Sequence, residues 1–289
     1  MEKINAEVFV NVATLGSFKK AADKLGYTQA GISYIINSME EQAGFRLFER
    51  EFGGVRMTEE GRTLLPFMQR LYREEQIVRE RVDQLRGLEK GHIRLLSINT
   101  VIVCYLPEML KRFREMYPGI EIELSSCDSY EEATKMILSG EADCTFTQLE
   151  SSDKIELVYL CEQEDMIVVS KDHPLADRDV FPIAEMGDYP YIGPSEDLDP
   201  YNYDLARKYN VSLNQIIKLN NDYGCLSMIK NGLGFGIYPK VMVEQSSFPI
   251  IGIPFDIRTF TRISLGYRSY ESLSLAGKAF VDFACGWKY

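Results

Sequence analysis

Residues 9–61 read FVNVATLGSFKKAADKLGYTQAGISYIINSMEEQAGFRLFEREFGGVRMTEEG, and the apolar spacing and turn chemistry of this stretch decide the fold. At its opening edge Ile4, Val8, Phe9, Val12 and Ala13 recur every three or four residues, which predicts a first helix with one buried face. Gly16 breaks that helix, and Ser17 stands as the N-cap of a short second one carrying Phe18, Ala21, Ala22 and Leu25. The small Ala21 and Ala22 suit two helices that approach closely. Gly26 closes the second helix and Thr28 caps a third, so the chain turns within a few residues, as helix-turn-helix units do. In the third helix Ile32, Ile35, Ile36 and Met39 form a buried stripe at i, i+3, i+4 and i+7. The opposite face carries Gln29, Ala30, Ser33, Tyr34, Asn37 and Ser38. Amides of Gln and Asn match an adenine edge, and Ser or Tyr hydroxyls reach phosphate. Leu47-Phe48-Glu49-Arg50, Gly53-Gly54 and Val55-Arg56-Met57 then predict a tight hairpin, flanked by Arg50 and Arg56 as backbone clamps.

Four motifs stand in register here: G-S-F-x-x-A-A-x-x-L from Gly16, T-Q-x-x-I-S from Thr28, L-F-x-R from Leu47 and M-T-x-x-G from Met57. Together they resemble the winged helix-turn-helix of LysR-type transcriptional regulators. The resemblance implies double-stranded DNA as a partner, with Gln29 and Ser33 facing it. Thr28 and Thr58 would support phosphate contacts, Arg50 would lie on the backbone and Arg56 would be a wing contact. Two positions depart from the family pattern: Ala30 stands where Pro is usual, and Tyr34 where Arg is frequent. Residues 28–41 contain no Lys or Arg.

Charge is distributed unevenly. Residues 1–90 hold 14 Lys and Arg against 14 Asp and Glu, whereas the remainder holds 18 against 29, so the whole net charge of −11 lies after residue 90. A DNA-reading module without net positive charge depends on local arginine placement and dimer symmetry. The acidic remainder repels DNA.

After Thr58, with Glu59 and Glu60 favouring a helix N-terminus, a long helix is predicted to about Leu85. Leu64, Leu71, Val78 and Leu85 recur at seven residues, with Met68 and Val82 at the companion position, which predicts a coiled-coil seam. The family resemblance implies a linker helix pairing two subunits, so that a homodimer, and further a homotetramer, reads a partly palindromic operator.

Gly87 and Gly91 bracket a hinge, after which strands and helices alternate. Strands are predicted at Ile93–Ile98, Ile120–Ser125, Ala142–Thr147, Asp165–Ser170, Tyr189–Ile192, Gln215–Leu219, Gly234–Pro239 and Arg262–Tyr267, with helices at Cys104–Met116 (opening near Leu106-Pro107), Tyr130–Leu138 and Ser274–Cys285. This pattern implies a parallel sheet with ligand sites at its strand ends. The phrases Leu106-Pro107, Ser139-Gly140-Glu141-Ala142-Asp143, His173-Pro174-Leu175-Ala176 and Ile229–Pro239 resemble the effector domain of the same family. The expected fold class is therefore α/β with an all-α N-terminal part. It comprises a winged helix-turn-helix (1–60), a linker helix (61–90) and two Rossmann-like α/β subdomains of periplasmic-binding-protein type. The first subdomain spans 91–163 and 265–289 and the second 164–264, with a small-molecule effector in the cleft between them.

Strand ends and helix starts nominate Ser97, Asn99 and Thr100, then Ser129 and Tyr130, then Thr147 and Gln148. Pro194 and Ser195 are added from the second subdomain, together with Asn221 and Asp222. The resemblance supports Thr100, Tyr130 and Thr147. These loops contain no basic residue, while Glu196, Asp197 and Asp199 are acidic; if acidic side chains reach the cleft, a neutral, zwitterionic or cationic ligand follows.

Enzymatic chemistry is not indicated. The chain has 2 His, His92 and His173, and no Ser-His-Asp set, metal-ligand spacing or Walker A loop. Gly232, Gly234 and Gly236 precede a strand instead of joining a strand to a helix, which excludes a dinucleotide fingerprint. No cofactor or metal is expected. The six cysteines are scattered, and no stretch approaches ~18 continuous apolar residues, which fits a reduced cytoplasmic setting and no membrane partner. Two other readings stand beside the ligand-responsive regulator. One is a redox-responsive regulator using a cysteine thiol. The other is a solute-binding or enzymatic α/β protein whose N-terminal helices make protein contacts.

Overall fold

The computed structural model describes residues 4–51, 54–85 and 90–289, with the side chains of residues 50, 80, 81 and 83–85 outside the described set. The chain divides into two compact units: residues 1–90 with 138–141, and residues 91–137 with 142–289.

The first unit comprises α1 (Ala6–Leu15), α2 (Phe18–Leu25), α3 (Gln29–Ala43), the hairpin β1 (Phe48–Glu51) and β2 (Gly54–Met57), and α4 (Glu59–Leu85). Each short helix opens on the side chain that the sequence marks for it. Ser17 accepts from the Lys20 N–H at 3.3 Å and Thr28 from the Gly31 N–H at 3.1 Å. Val8, Phe9, Val12, Ala21, Ala22, Ile32, Ile36 and Met39 close into one core with Leu47, Phe48 and Met68. Ile4 lies outside that core, more than a third exposed. Gly53, half of the expected turn dipeptide, lies outside the described residues; the strands around it pair Phe48 with Met57 and Glu51 with Gly54.

The hairpin is anchored by a carboxylate that periodicity alone does not single out. Glu40 is buried, and one of its oxygens accepts from the backbone N–H groups of Leu47 at 2.7 Å and Phe48 at 3.0 Å. Its other oxygen meets Arg46 at 3.4 Å. The M-T-x-x-G motif secures the opposite end. The Thr58 hydroxyl donates to the Arg46 and Leu47 carbonyls and accepts from Gly61 N–H, and a Cβ on Gly61 would sit 2.3 Å from the Leu47 oxygen. Glu40→Ala strands two backbone donors, so it is expected to lower the stability of this unit by about 2–4 kcal/mol. Thermal unfolding followed by circular dichroism measures the loss, and Glu40→Gln, which keeps an acceptor, is expected to recover most of it.

The second unit contains β3 (Gly91–Ser97), α5 (Asn99–Cys104), α6 (Leu106–Met116), β4 (Ile120–Ser126), α7 (Tyr130–Ser139), β5 (Cys144–Thr147) and β6 (Glu156–Ser170). It continues through β7 (Pro190–Gly193), α8 (Pro200–Lys208), β8 (Asn214–Lys218), α9 (Asp222–Lys230), β9 (Gly236–Pro239), α10 (Lys240–Glu244), β10 (Ile250–Pro254), β11 (Phe260–Tyr267) and α11 (Leu275–Cys285). The main sheet runs β10-β6-β11-β5-β3-β4, with β9 also pairing β6. β3 pairs parallel with β4 and β5, and β7 with β8, but β11 and β6 pair antiparallel with all their neighbours. The sheet is therefore mixed, not wholly parallel as expected, because β6 and β11 are extended segments that run past each other from Phe260↔Glu164 to Tyr267↔Glu156.

The helix expected over Cys104–Met116 opens at Leu106, at the expected Leu106-Pro107 start, and a separate short helix, Asn99–Cys104, precedes it and contains Asn99 and Thr100. One strand boundary is corrected. The strand expected at Asp165–Ser170 begins nine residues earlier, at Glu156. Its first part carries the apolar run Leu157–Cys161, but its burial follows no two-residue alternation, and Glu162, Gln163 and Glu164 separate that run from the buried end of the strand, so the period gives little signal.

One core of this unit gathers around Phe113, Phe146 and Phe280, and two others around Phe181, Tyr191 and Phe235 and around Val168, Cys225 and Ile229. The family-like phrases have local causes. Asp143 accepts from the Arg94 N–H at 2.8 Å and pairs with its guanidinium, tying β5 to β3. His173 Nδ1 accepts from the Leu175 N–H at 3.2 Å, a turn bond that burial supports by keeping the imidazole neutral. At Gly234 a Cβ would lie 2.3 Å from the Pro190 carbonyl oxygen, so close packing explains that glycine.

Candidate nucleic-acid interface and effector cavity

α3 presents two chemically different faces. Ile32, Ile36 and Met39 are buried, whereas Gln29, Ala30 and Asn37 are exposed, Tyr34 is 74% exposed and Ser33 is half-buried. The polar face is thus held out by a packed apolar one. Thr28 sits at its start with its oxygen committed to the cap, and Thr58 is committed to the Arg46 and Leu47 carbonyls. Both threonines thereby position backbone before they meet any phosphate. Arg56 is exposed and 3.7 Å from Glu51, a surface pair loose enough to exchange for phosphate. The Arg50 side chain lies outside the described residues.

On α4 the seven-residue pattern divides by burial. Leu64 and Met68 pack into the core of their own unit. Phe67, Leu71, Val78 and Val82 are exposed along the helix, and the Leu85 side chain lies outside the described residues. Arg79 pairs with Glu7 at 3.3 Å, fixing α4 against α1.

The second unit contains a cavity of ≈ 90 Å³ between the C-terminal end of β3 and the β7–α9 segment. Of the residues nominated from sequence, Asn99, Thr100, Tyr130, Gln148 and Pro194 line it. Ser97, Ser129, Thr147, Ser195 and Asn221 are not in its wall, because their polar atoms serve the adjoining backbone and turns. Ser97 Oγ donates to the Ile98 carbonyl, and Thr147 Oγ1 accepts from the Leu149 N–H. Ser129 and Asn221 accept from the Glu132 and Gly224 N–H groups, and Ser195 faces Asp197.

Sequence reasoning missed most of the polar wall: Asp128, Asp165, Tyr201, Asn202, Asn220, Tyr238 and Thr261 also line the cavity. Asp165 and Thr261 sit within β6 and β11, where nothing in a search of strand ends and helix starts points to them. Asp222, nominated beside Asn221, is in the wall, and so is Asp199, the N-cap of α8. Glu196 instead pairs with Arg207 outside it. The Asp165 carboxylate accepts from the Thr261 hydroxyl at 2.7 Å and the Tyr201 hydroxyl at 2.8 Å. Tyr130 OH donates to Gln148 Oε1 at 2.8 Å. Burial pushes Asp165 and Asp222 up to about 6 and raises Asp128 and Asp199 as well.

Five of the six thiols share one tendency. Burial raises Cys127, Cys161, Cys225 and Cys285 and pushes Cys104 up to about 11, so the reactive thiolate is disfavoured at each. Among the described residues no helix is long and apolar enough to cross a membrane.

Comparison with known proteins places both units. Residues 5–62 match the model described as bacterial regulatory helix-turn-helix protein, lysR family, and residues 86–286 match the LysR substrate binding domain. The HTH-type transcriptional regulator YvbU of Bacillus subtilis is 24% identical over 281 residues, 96% of each chain. Among solved structures, a full-length OxyR from Pseudomonas aeruginosa aligns with a TM-score of 0.77 at 18% identity, covering 98% of this chain and 97% of that one. Full-length CbnR complexed with its target DNA aligns at 0.70 and 18% identity, covering 96% and 97%. The chain belongs to the LysR family: it is a DNA-binding transcriptional regulator with an effector-binding domain, and not an enzyme.

Proposed function

We propose that this regulator reads a partly palindromic operator as a homodimer or homotetramer, and that a small molecule in the second unit's cavity sets its DNA affinity. The observation that carries the DNA half is the polar outer face of α3, Gln29, Ala30, Ser33, Tyr34 and Asn37, backed by a fully packed inner face. Gln29 and Asn37 are the base readers, through paired amide hydrogen bonds, and Ser33 and Tyr34 reach sugar or phosphate. Arg50 and Arg56 hold the backbone on either side of the wing. The exposed stripe Phe67, Leu71, Val78 and Val82 on α4 is the dimer seam, since apolar side chains at this spacing are stabilised by a second copy of the same helix.

Effector entering between the two halves of the second unit shifts the population toward one relative orientation of those halves. That shift alters the assembly and so the spacing of its recognition helices. Asn99, Thr100, Tyr130, Gln148 and Pro194 form the part of the contact surface predicted from sequence.

A mobility-shift titration on DNA flanking the coding region of this chain tests the proposal. Retardation that is sequence-selective and weakens with salt is expected, with only a moderate salt slope because the first 90 residues carry no net positive charge. Equal retardation of scrambled DNA of the same length would contradict it.

A further inference from the structure

Resting on the reading of this cavity as the effector site, we infer that its ligand is a small organic ammonium ion, received by Asp128, Asp165, Asp199 and Asp222. The wall contains these four carboxylates and no Lys, Arg or His. The groups facing them are neutral or like-charged. Asp165 meets the Thr261 and Tyr201 hydroxyls, with Asp199 and Glu164 as its charged neighbours. Asp199 accepts from Asn202 Nδ2 at 2.7 Å and lies near Asp128. Asp128 faces Asn99 and Asn220. Asp222 faces Asn99, with Asp128 and Asp199 as its charged neighbours. Buried carboxylates without a counter-cation are costly, and a bound cation is the direct remedy.

Local geometry also argues against an anionic ligand. Helix N-termini ordinarily attract anions, but here the protein's own carboxylates occupy that role. Asp199 caps α8, and Asp222 lies in the first turn of α9. What remains open is negative charge flanked by the rings of Tyr130, Tyr191, Tyr201 and Tyr238, an environment that favours a cation over π faces. Burial raises all four phenols, so they stay neutral. A metal ion fits less well: among the described residues no group of three or more His, Cys, Asp or Glu is placed to hold one. The ≈ 90 Å³ volume is below the ~150 Å³ that accepts benzene, so the ligand is compact.

The test is isothermal titration of the full chain with methylamine, ethanolamine, succinate and calcium chloride at pH 8 and pH 5. A mobility shift is run on the same samples. At least one amine is expected to bind, at least 10-fold more weakly in Asp128→Asn and Asp222→Asn and at least 10-fold more weakly at pH 5, where the carboxylates take up protons. Succinate binding in place of both amines, calcium displacing a bound amine, amine affinity indifferent to both substitutions, or no amine binding at 10 mM (an experimental ceiling on the order of the weakest useful effector affinity) would each overturn the inference. The two readings separate cleanly. Amine binding that leaves DNA retardation unchanged upholds the ammonium assignment and removes the effector role. Succinate altering retardation, with loss of that response in Asp222→Asn, upholds the effector role and removes the ammonium assignment.

Discussion

Replacing Gln29 by alanine is expected to lower operator affinity about 10- to 100-fold and to leave non-specific affinity almost unchanged. One bidentate amide contact to a base is worth about 1–3 kcal/mol of discrimination, and every 1.4 kcal/mol is tenfold. Gln29 is the first residue of α3 and is exposed, so its truncation removes no core packing. The Thr28 cap is made by Thr28 Oγ1 and the Gly31 N–H, and neither atom belongs to the substituted side chain. Alanine is also a better helix former than glutamine by a small margin. Helix stability therefore holds or rises while affinity falls. Fluorescence anisotropy on operator and scrambled duplexes, paired with a thermal melt, separates the two effects. Loss of affinity accompanied by loss of melting temperature would assign Gln29 to the fold instead.

Asp222→Asn is expected to raise the melting temperature of the second unit by a few °C at pH 8, a gain that shrinks toward pH 4. Burial is the main cause holding Asp222 at about 6, with repulsion from Asp128 and Asp199 adding to it. Its folded value is thus above its unfolded one. Such a group contributes stability that is full below the unfolded carboxylate range near pH 4 and is lost as pH rises through about 6. At pH 8 the folded chain bears the whole cost of that unpaired charge, and the amide removes it. The same substitution removes part of the attraction for a cationic ligand. A variant more stable without ligand yet less responsive to it is the signature of a residue kept for binding. A lower melting temperature at pH 8 would show that the carboxylate is structurally required there.

The N-terminal unit was more legible than the C-terminal one, for physical reasons. Its information is local: Ser17 and Thr28 cap helices three residues away, and Ile32, Ile36 and Met39 declare a face by spacing alone. Glu40 escaped because its partners, the Leu47 and Phe48 N–H groups, lie beyond the end of its own helix. In the C-terminal unit, a search along strand ends and helix starts found Asn99, Thr100, Tyr130, Gln148 and Pro194. It also nominated Ser97, Thr147 and Asn221, because a hydroxyl or amide that serves a turn looks the same in sequence as one that faces a ligand. It missed Asp165 and Thr261, which meet across antiparallel β6 and β11 about a hundred residues apart. No local pattern encodes such a pair. The mixed sheet was misread for the same reason, since strand direction is set by that distant pairing.

The central claim is that the outer face of α3 reads base sequence. Selection of binding sites from a randomised duplex pool, carried out in parallel with the wild-type chain and Gln29→Ala, tests it most directly. The expected result is a two-fold-related pair of half-sites for the wild type, with the variant losing preference at one symmetric base-pair position and keeping the others. Two identical selected sequences, or no selected sequence from the wild type, would contradict it.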